Sequence, residues 1–357
     1  MIDTEEIMAN TSMAKNMVIR IRVAASVLAT VALLCGAATR TMALPTLDAL
    51  MTDFGFSADD VSRVRNGELV KTTAKETSDR EIAAVMVFLV KAPVKTLVSA
   101  FEVGKGFRND PQVQAATEIQ GEGTLEDFKA VVLQPGGEKE TQRYLAAAPG
   151  DTLNLSAPEI AAFQALKGSG GAGQPQVEAE LRRMLLARYQ AYRAKGLAGI
   201  APYVRGTDKQ SQPADELRSA TEAAKGLKKY TPAFYDVLLN YPQAKPAGLE
   251  ERFFCIRYAL SGRPNITLRH RLAMPVDGGA YVAADREFYV SHDYNETQAI
   301  GALLPVENGT VVTYVNRTTT DQLGGFGAST KQSIGRSMMA KQIGAIFEKS
   351  RAGFAGK

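Results

Sequence analysis

Two histidines, His270 and His292, are the only imidazoles in this 357-residue chain, and they limit its acid–base chemistry. In the segment Leu268–Leu272, two arginines alternate with Leu268, His270 and Leu272, which predicts a β-strand. Alternation puts His270 on the same face as the two leucines, so we expect it to point toward a core or a cavity. There it would be a hydrogen-bonded structural residue or, because imidazole titrates near neutral pH, a proton-transfer group.

His292 stands between Ser291 and Asp293 at the end of another predicted strand. A serine hydrolase would need these side chains to converge, but neighbours on a strand point to opposite faces and no Gly-x-Ser-x-Gly turn is present. A metal site built from both histidines with Asp285 or Glu287 would lack a closely spaced ligand pair. We therefore expect no metal and no cofactor. A cyclase- or hydrolase-type enzyme using either histidine remains an alternative.

A polar run, Asn316–Asp321, joins the last predicted strand to the last predicted helix and is followed by glycines within residues 324–327. Glycines let backbone amides approach an anion, and Arg317 would supply the counter-charge. Alternatively, the segment simply leads into a helix capped by Ser329. The phosphate-loop signature is absent, because no Lys-Ser/Thr pair follows at the required spacing.

A long amphipathic helix is predicted at the end of the chain, over Ser329–Ser350. Met338 and Met339 lie on its apolar stripe. Methionine packs against irregular shapes, so the pair suits the wall of a ligand cavity, although an ordinary core is the other interpretation. Our candidate ligand-binding residues are Met338, Met339, Arg317 and His270.

The first 43 residues have the order of a cleavable export signal. Basic residues precede the apolar run Val23–Leu34, and small residues precede a cleavage site after Ala43, with Ala38 as the second choice. The run is shorter than the roughly 20 apolar residues that a membrane span needs. The sequence predicts a periplasmic or secreted protein, with an uncleaved anchor as the alternative.

The mature chain would be mildly basic. Residues 1–43 hold four Lys/Arg and three Asp/Glu, so their removal lowers the formal charge from +4 to +3. No basic patch is dense enough to favour nucleic acid. Cys255 would be the one remaining cysteine, which excludes an intramolecular disulfide. Without a second hydrophobic span, we expect no integral membrane segment after cleavage.

Three zones follow the signal segment, at residues 44–155, 156–248 and 249–357. The first mixes short helices with strands, including Glu81–Ala92 and Phe128–Leu133. The second is helical, with its clearest helix at Val177–Lys195 and a polar helix at Pro213–Lys229. The third alternates strands with turns. Its predicted strands are Arg252–Leu260, Ile266–Met274, Ala280–Val290, Gln298–Pro305 and Thr310–Asn316.

A strand followed by a proline-started helix, and later a strand meander closed by one long helix, resembles the START-like helix-grip superfamily (Bet v 1 or polyketide-cyclase-like). The text AAVMVFLVKAPVKTLVSAF, residues 83–101, looks like that group's opening strand and first helix. The resemblance covers residues 66–134 and 249–350, and the chain is also similar to secreted bacterial proteins. The START-like resemblance implies an α+β fold in which a long C-terminal helix packs on an antiparallel sheet, with residues 156–248 as a helical insertion.

The same resemblance implies a cavity between the curved sheet and the terminal helix, of the kind that START-like proteins use for lipids, sterols or polyketides. An apolar cavity with a few polar groups is a typical ligand site. We therefore expect an exported soluble protein that binds a hydrophobic or amphiphilic small molecule without catalysis. A third alternative is an envelope protein-interaction module that uses the helical insertion, which would require an exposed apolar patch on residues 177–241.

Overall fold

The computed structural model describes residues 44–100, 112–168, 172–260, 262–324 and 330–337, together with residues 339, 341 and 344. The predicted signal segment, the glycines at 325–327, Met338 and half of the predicted terminal helix lie outside these residues.

The helices and strands follow the predicted order closely. The helices are α1 (Leu47–Asp53), α2 (Ala58–Arg65), α3 (Val94–Ala100), α4 (Gly137–Leu145), α5 (Ala157–Gly168), α6 (Gln174–Lys195), α7 (Pro213–Glu222), α8 (Lys225–Tyr230) and α9 (Pro232–Asn240). The strands are β1 (Val70–Thr72), β2 (Glu81–Val90), β3 (Val113–Ile119), β4 (Tyr203–Val204), β5 (Gln210–Ser211), β6 (Glu250–Leu260), β7 (Arg263–Val276), β8 (Ala280–Val290), β9 (Glu296–Val306) and β10 (Gly309–Thr319). Residues 330–337 are helical.

Eight strands form one antiparallel sheet in the order β1-β2-β10-β9-β8-β7-β6-β3, and β4 pairs with β5 separately. Strands β6 to β10 are a meander of sequential neighbours. The early strand β2 pairs with the last strand, β10, from Glu81↔Thr319 to Val90↔Thr310. The α+β class with a large antiparallel sheet is therefore confirmed.

The sheet is covered on both faces, which explains why all ten residues of β2 are buried and mostly apolar. The front face is defined by Val85, Val87 and Leu89, which pack with α1 and α2. The back face is defined by Met86 and Phe88, which pack with α3 and with Met339. Alternation along the strand assigns each residue to one of these faces.

The helical zone packs on the front face at the β3–β6 end of the sheet. Leu181, Leu185 and Tyr189 of α6 share a core with Phe253 and Cys255 of β6. Helix α4 belongs to the same core, although its residues fall in the first predicted zone; the rings of Tyr144 and Phe163 are 4.8 Å apart.

The strand prediction for Phe128–Leu133 is wrong. The segment begins in a short 3-10 helix and continues without strand pairing. The backbone amide of Leu133 donates to the Glu178 carboxylate at 2.8 Å, and the carbonyl of Val131 accepts from Arg182. Because side chains of α6 satisfy these backbone groups, the buried segment needs no neighbouring strand. The single helix predicted over Pro213–Lys229 is divided into α7 and α8.

Candidate functional site

A cavity of about 670 Å³ lies on the front face of the sheet. Its floor is built by cross-strand rows of small and aliphatic side chains. Val85, Val315 and Ile300 form one row across β2, β10 and β9. The next row contains Thr313 and Ala302. Successive residues of each strand point to opposite faces of the sheet. The side chains at every second position therefore form a continuous apolar floor on the front face.

Helices and one loop roof the cavity. Helix α1 contributes Leu50, helix α8 contributes Leu227 and Tyr230, and the loop at residues 73–77 closes a side. Helix α8 lies over this part of the sheet because Leu227 packs against the same core as Ile300. The break between α7 and α8 therefore places the second half of the predicted polar helix directly at the cavity.

Arg317 lies on the cavity wall, next to the floor row of Val315. It is buried, and its Nη1 donates to Glu81 Oε2 at 2.8 Å. Nη2 donates to the carbonyl of Lys75 at 3.1 Å, and the amide of Thr77 donates to the same Glu81 carboxylate. The Arg317–Glu81 pair thus fixes the loop at the cavity edge. Within the described part of the chain, Arg317 Nε is buried and has no hydrogen-bond acceptor.

The two carboxylates on the cavity wall are each paired with a cation. Asp53 accepts from Lys229 Nζ at 2.7 Å and from the Tyr230 hydroxyl, and these hydrogen bonds hold the pKa of Asp53 below its usual value. Glu76 forms an ion pair of 3.1 Å with Arg336 of the C-terminal helical segment. The acids around the cavity therefore carry no unbalanced negative charge.

Met339 lies on the back face, whereas the cavity opens on the front face. Its side chain is buried among Met86, Leu97 and Leu323. Met339 does not line this cavity, because side chains alternate sides along β2 and Met339 packs on the side of Met86, opposite Val85. Met338 lies outside the described residues.

His270 is fully buried in the core under the helical zone and is not part of the cavity wall. Its Nδ1 is 3.1 Å from the Tyr192 hydroxyl, its Nε2 is 3.5 Å from Glu251 Oε2, and its ring stacks on Phe253 at 4.1 Å. Burial lowers the pKa of His270 to about 4, although Glu251 opposes this shift. The imidazole is therefore neutral at physiological pH. His270 points inward as expected, into a packed core where it is hydrogen-bonded to Tyr192.

His292 is also buried and is held by different partners. Its Nε2 is 3.1 Å from the carbonyl of Pro264, and its Nδ1 is 2.9 Å from Asp293 Oδ1. The Ser291 hydroxyl accepts a hydrogen bond from the amide of Ile266 at 2.9 Å. Ser291 and His292 therefore tie the end of β8 to β7, and Asp293 orients the imidazole.

A buried charge cluster on the back face was missed by the sequence analysis. Arg269 bonds to Glu287 and to the Tyr258 hydroxyl at 2.6 Å, and its Nε lies 3.2 Å from Asp285 Oδ1. Asp285 also pairs with Arg271 at 3.0 Å. The signal was present as two arginines, Arg269 and Arg271, at alternate positions of β7 and two acids at the matching positions of β8, which together predict cross-strand ion pairs.

A second set of acids crowds the end of the sheet beyond Arg317. Glu216 on α7 accepts from the Asn295 amide and pairs with Arg80 at 3.2 Å. Burial raises the pKa of Glu216 to about 7, against the opposing effects of Arg80 and Asn295. Glu296 is fully buried nearby; burial, and next the charge of Glu216, keep its pKa well above the usual value.

The Glu216→Gln variant should change the pH dependence of stability. Because the folded state raises the pKa of Glu216 from 4.5 to about 7, this carboxyl favours folding below pH 4.5 and loses that contribution as pH rises through 7. Wild-type stability relative to the variant should therefore fall by up to about 3 kcal/mol between those limits. Urea unfolding of both proteins at acidic and at alkaline pH measures the difference; a constant gap between the two proteins would contradict the assignment.

The exposed large hydrophobic side chains bear on the predicted apolar patch of the helical zone. Among the described residues, the large hydrophobic side chains that are exposed are Leu125 and Ile334, and neither lies in residues 177–241. In the same described ranges, no group of three or more His, Cys, Asp or Glu is arranged to hold a metal ion. None of the helices in the described ranges is long and apolar enough to cross a membrane.

No family model, no curated protein and no solved structure matches the chain.

Proposed function

We propose that this protein binds a hydrophobic or amphiphilic small molecule, without catalysis, in the cavity on the front face of the sheet. The observation that carries the proposal is the cavity itself, which has a volume of about 670 Å³ and a floor of Val85, Val315 and Ile300. Ligand pockets enclose about 300–1,000 Å³, are mostly apolar and contain a few placed polar groups. This cavity combines the aliphatic floor with the buried guanidinium of Arg317.

Apolar surface that faces an open cavity remains costly unless a ligand covers it. Transfer of apolar surface out of water stabilises by about 25 cal/mol per Å², so an alkyl chain in contact with these side chains gains affinity with every methylene. In the described part of the chain neither histidine lines the wall, and the Tyr230 hydroxyl there donates to Asp53, whose carboxylate is already paired with Lys229. Holding a molecule is therefore better supported than reacting with it.

We also propose a START-like fold and export from the cytoplasm. Support for the fold is the pairing of β2 with β10, which brings the opening strand beside the last strand of the meander, and the helical residues 330–337 that follow. Support for export is the signal-like order of residues 1–43. The cavity differs from the expectation that the resemblance raised, because it lies beneath α1 and α8, whereas Met339 of the terminal segment packs on the opposite face.

Isothermal titration of the purified protein with decanol tests the proposed function. We expect saturable binding with one site per chain and a negative heat-capacity change, which is the marker of apolar burial. Absence of saturable binding for decanol and for charged amphiphiles of the same chain length would contradict the proposal.

A further inference from the structure

Positively charged side chains outnumber negatively charged side chains around the cavity. Lys75 and Lys225 lie on its wall and are exposed, so they mark its opening to solvent. Lys75 belongs to the loop at 73–77, and Lys225 begins α8, so the two cations come from different parts of the roof. Within the described part of the chain, neither lysine takes part in a recorded ion pair.

The charged side chains on the cavity wall, together with their ion-pair partners, carry a net positive charge. The three carboxylates are each matched by a cation, in the pairs Asp53–Lys229, Glu76–Arg336 and Glu81–Arg317. Lys75 and Lys225 remain, so five cations face three carboxylates and the formal excess is two positive charges. Low-dielectric walls concentrate such a field at the mouth of a cleft.

A donor on the wall gives a second, independent observation. Arg317 Nε is buried and lacks an acceptor within the described residues, and Arg317 also bonds to the backbone of Lys75. A buried donor without an acceptor is costly, so a ligand oxygen that reaches it would stabilise the complex. The buried Arg317 guanidinium and the exposed Lys75 therefore both lie at the loop of residues 73–77.

From this charge pattern, and resting on the proposed function, we infer that the ligand is a single-chain amphiphile with an anionic head, of the fatty-acid class. Its alkyl chain lies along the floor at Val85, Val315 and Ile300. Its carboxylate lies at the mouth, where Lys75 and Lys225 supply the attraction. A cationic amphiphile of equal length would meet the same field with the opposite sign.

The test compares three ligands of one chain length at neutral pH: decanoate, decanol and decyltrimethylammonium. Titration calorimetry should show decanoate binding more tightly than decanol, and decanol more tightly than the cation. Added salt should weaken decanoate and leave decanol unchanged, because exposed charges are screened. Equal affinities for decanoate and decanol, or tighter binding of the cation, would overturn the inference.

The Lys75→Gln/Lys225→Gln variant should lose about fivefold in decanoate affinity and keep its decanol affinity, as expected for two exposed charge interactions. The matched control is Lys139→Gln/Lys167→Gln, which removes two exposed lysines that are not on the cavity wall. Equal losses of decanoate affinity in both variants, or a loss of decanol affinity as well, would contradict the proposed attraction between Lys75, Lys225 and the carboxylate. Failure of all three ligands to bind would instead contradict the proposed function, so the two failures are distinguishable.

Discussion

The Val315→Phe variant is expected to bind decanol about two orders of magnitude more weakly than the wild-type protein. Val315 lies in the middle of β10, between Val85 and Ile300, and its side chain forms part of the cavity floor. Phenylalanine adds four carbons that would project into the space assigned to the alkyl chain. Displacement of about four methylenes at about 0.8 kcal/mol each predicts this loss.

The matched control at this position is Val315→Ala, which widens the cavity and should keep decanol affinity within a few-fold. Urea unfolding of both variants separates loss of binding from loss of folding. Because the larger ring fills empty space, Val315→Phe should unfold at a denaturant concentration close to that of the wild type. Unchanged decanol affinity in a folded Val315→Phe protein would place the ligand elsewhere.

The Arg269→Met variant should be destabilised by about 3–5 kcal/mol. Arg269 is fully buried and pairs with Asp285 and Glu287, which are also buried. Its removal leaves two carboxylates without their central cation, and breaking a buried pair from one side typically costs this amount. Burial already raises the pKa of Glu287, and loss of the guanidinium would raise it further. Chemical denaturation at neutral pH measures the change in the free energy of unfolding.

Two comparisons sharpen that result. Lys129→Met removes the cation of an exposed pair with Glu126 and should leave the unfolding midpoint unchanged. Arg269→Met/Glu287→Gln removes one uncompensated charge and should recover part of the lost stability. If Arg269→Met behaved like Lys129→Met, the back-face cluster would not contribute to folding.

Strand positions were predictable because the third zone alternates apolar runs with strong turns. Ala280–Val290 was predicted at its observed limits. Helix α4 was missed because it is short and charged, and its buried side chains, such as Tyr144, find their partners on α5. Local patterns carry no information about such distant partners.

The candidate site was only partly predictable for the same reason. Arg317 was singled out as a counter-charge, and it lies on the cavity wall, where it pairs with Glu81. Alternation indicated that His270 points inward, yet it could not show that α6 fills the space with Tyr192. Lys75 and Lys225 are separated by 150 positions and were not noticed, because only the folded chain brings their segments to one cavity.

A crystal structure of the protein with decanoate tests the central claim most directly. The account predicts an alkyl chain between α8 and the floor row Val85, Val315 and Ile300, with the carboxylate at the mouth near Lys75. Electron density for the chain on the back face, against Met339, would contradict it, as would a front-face cavity that stays empty in a protein saturated with the ligand.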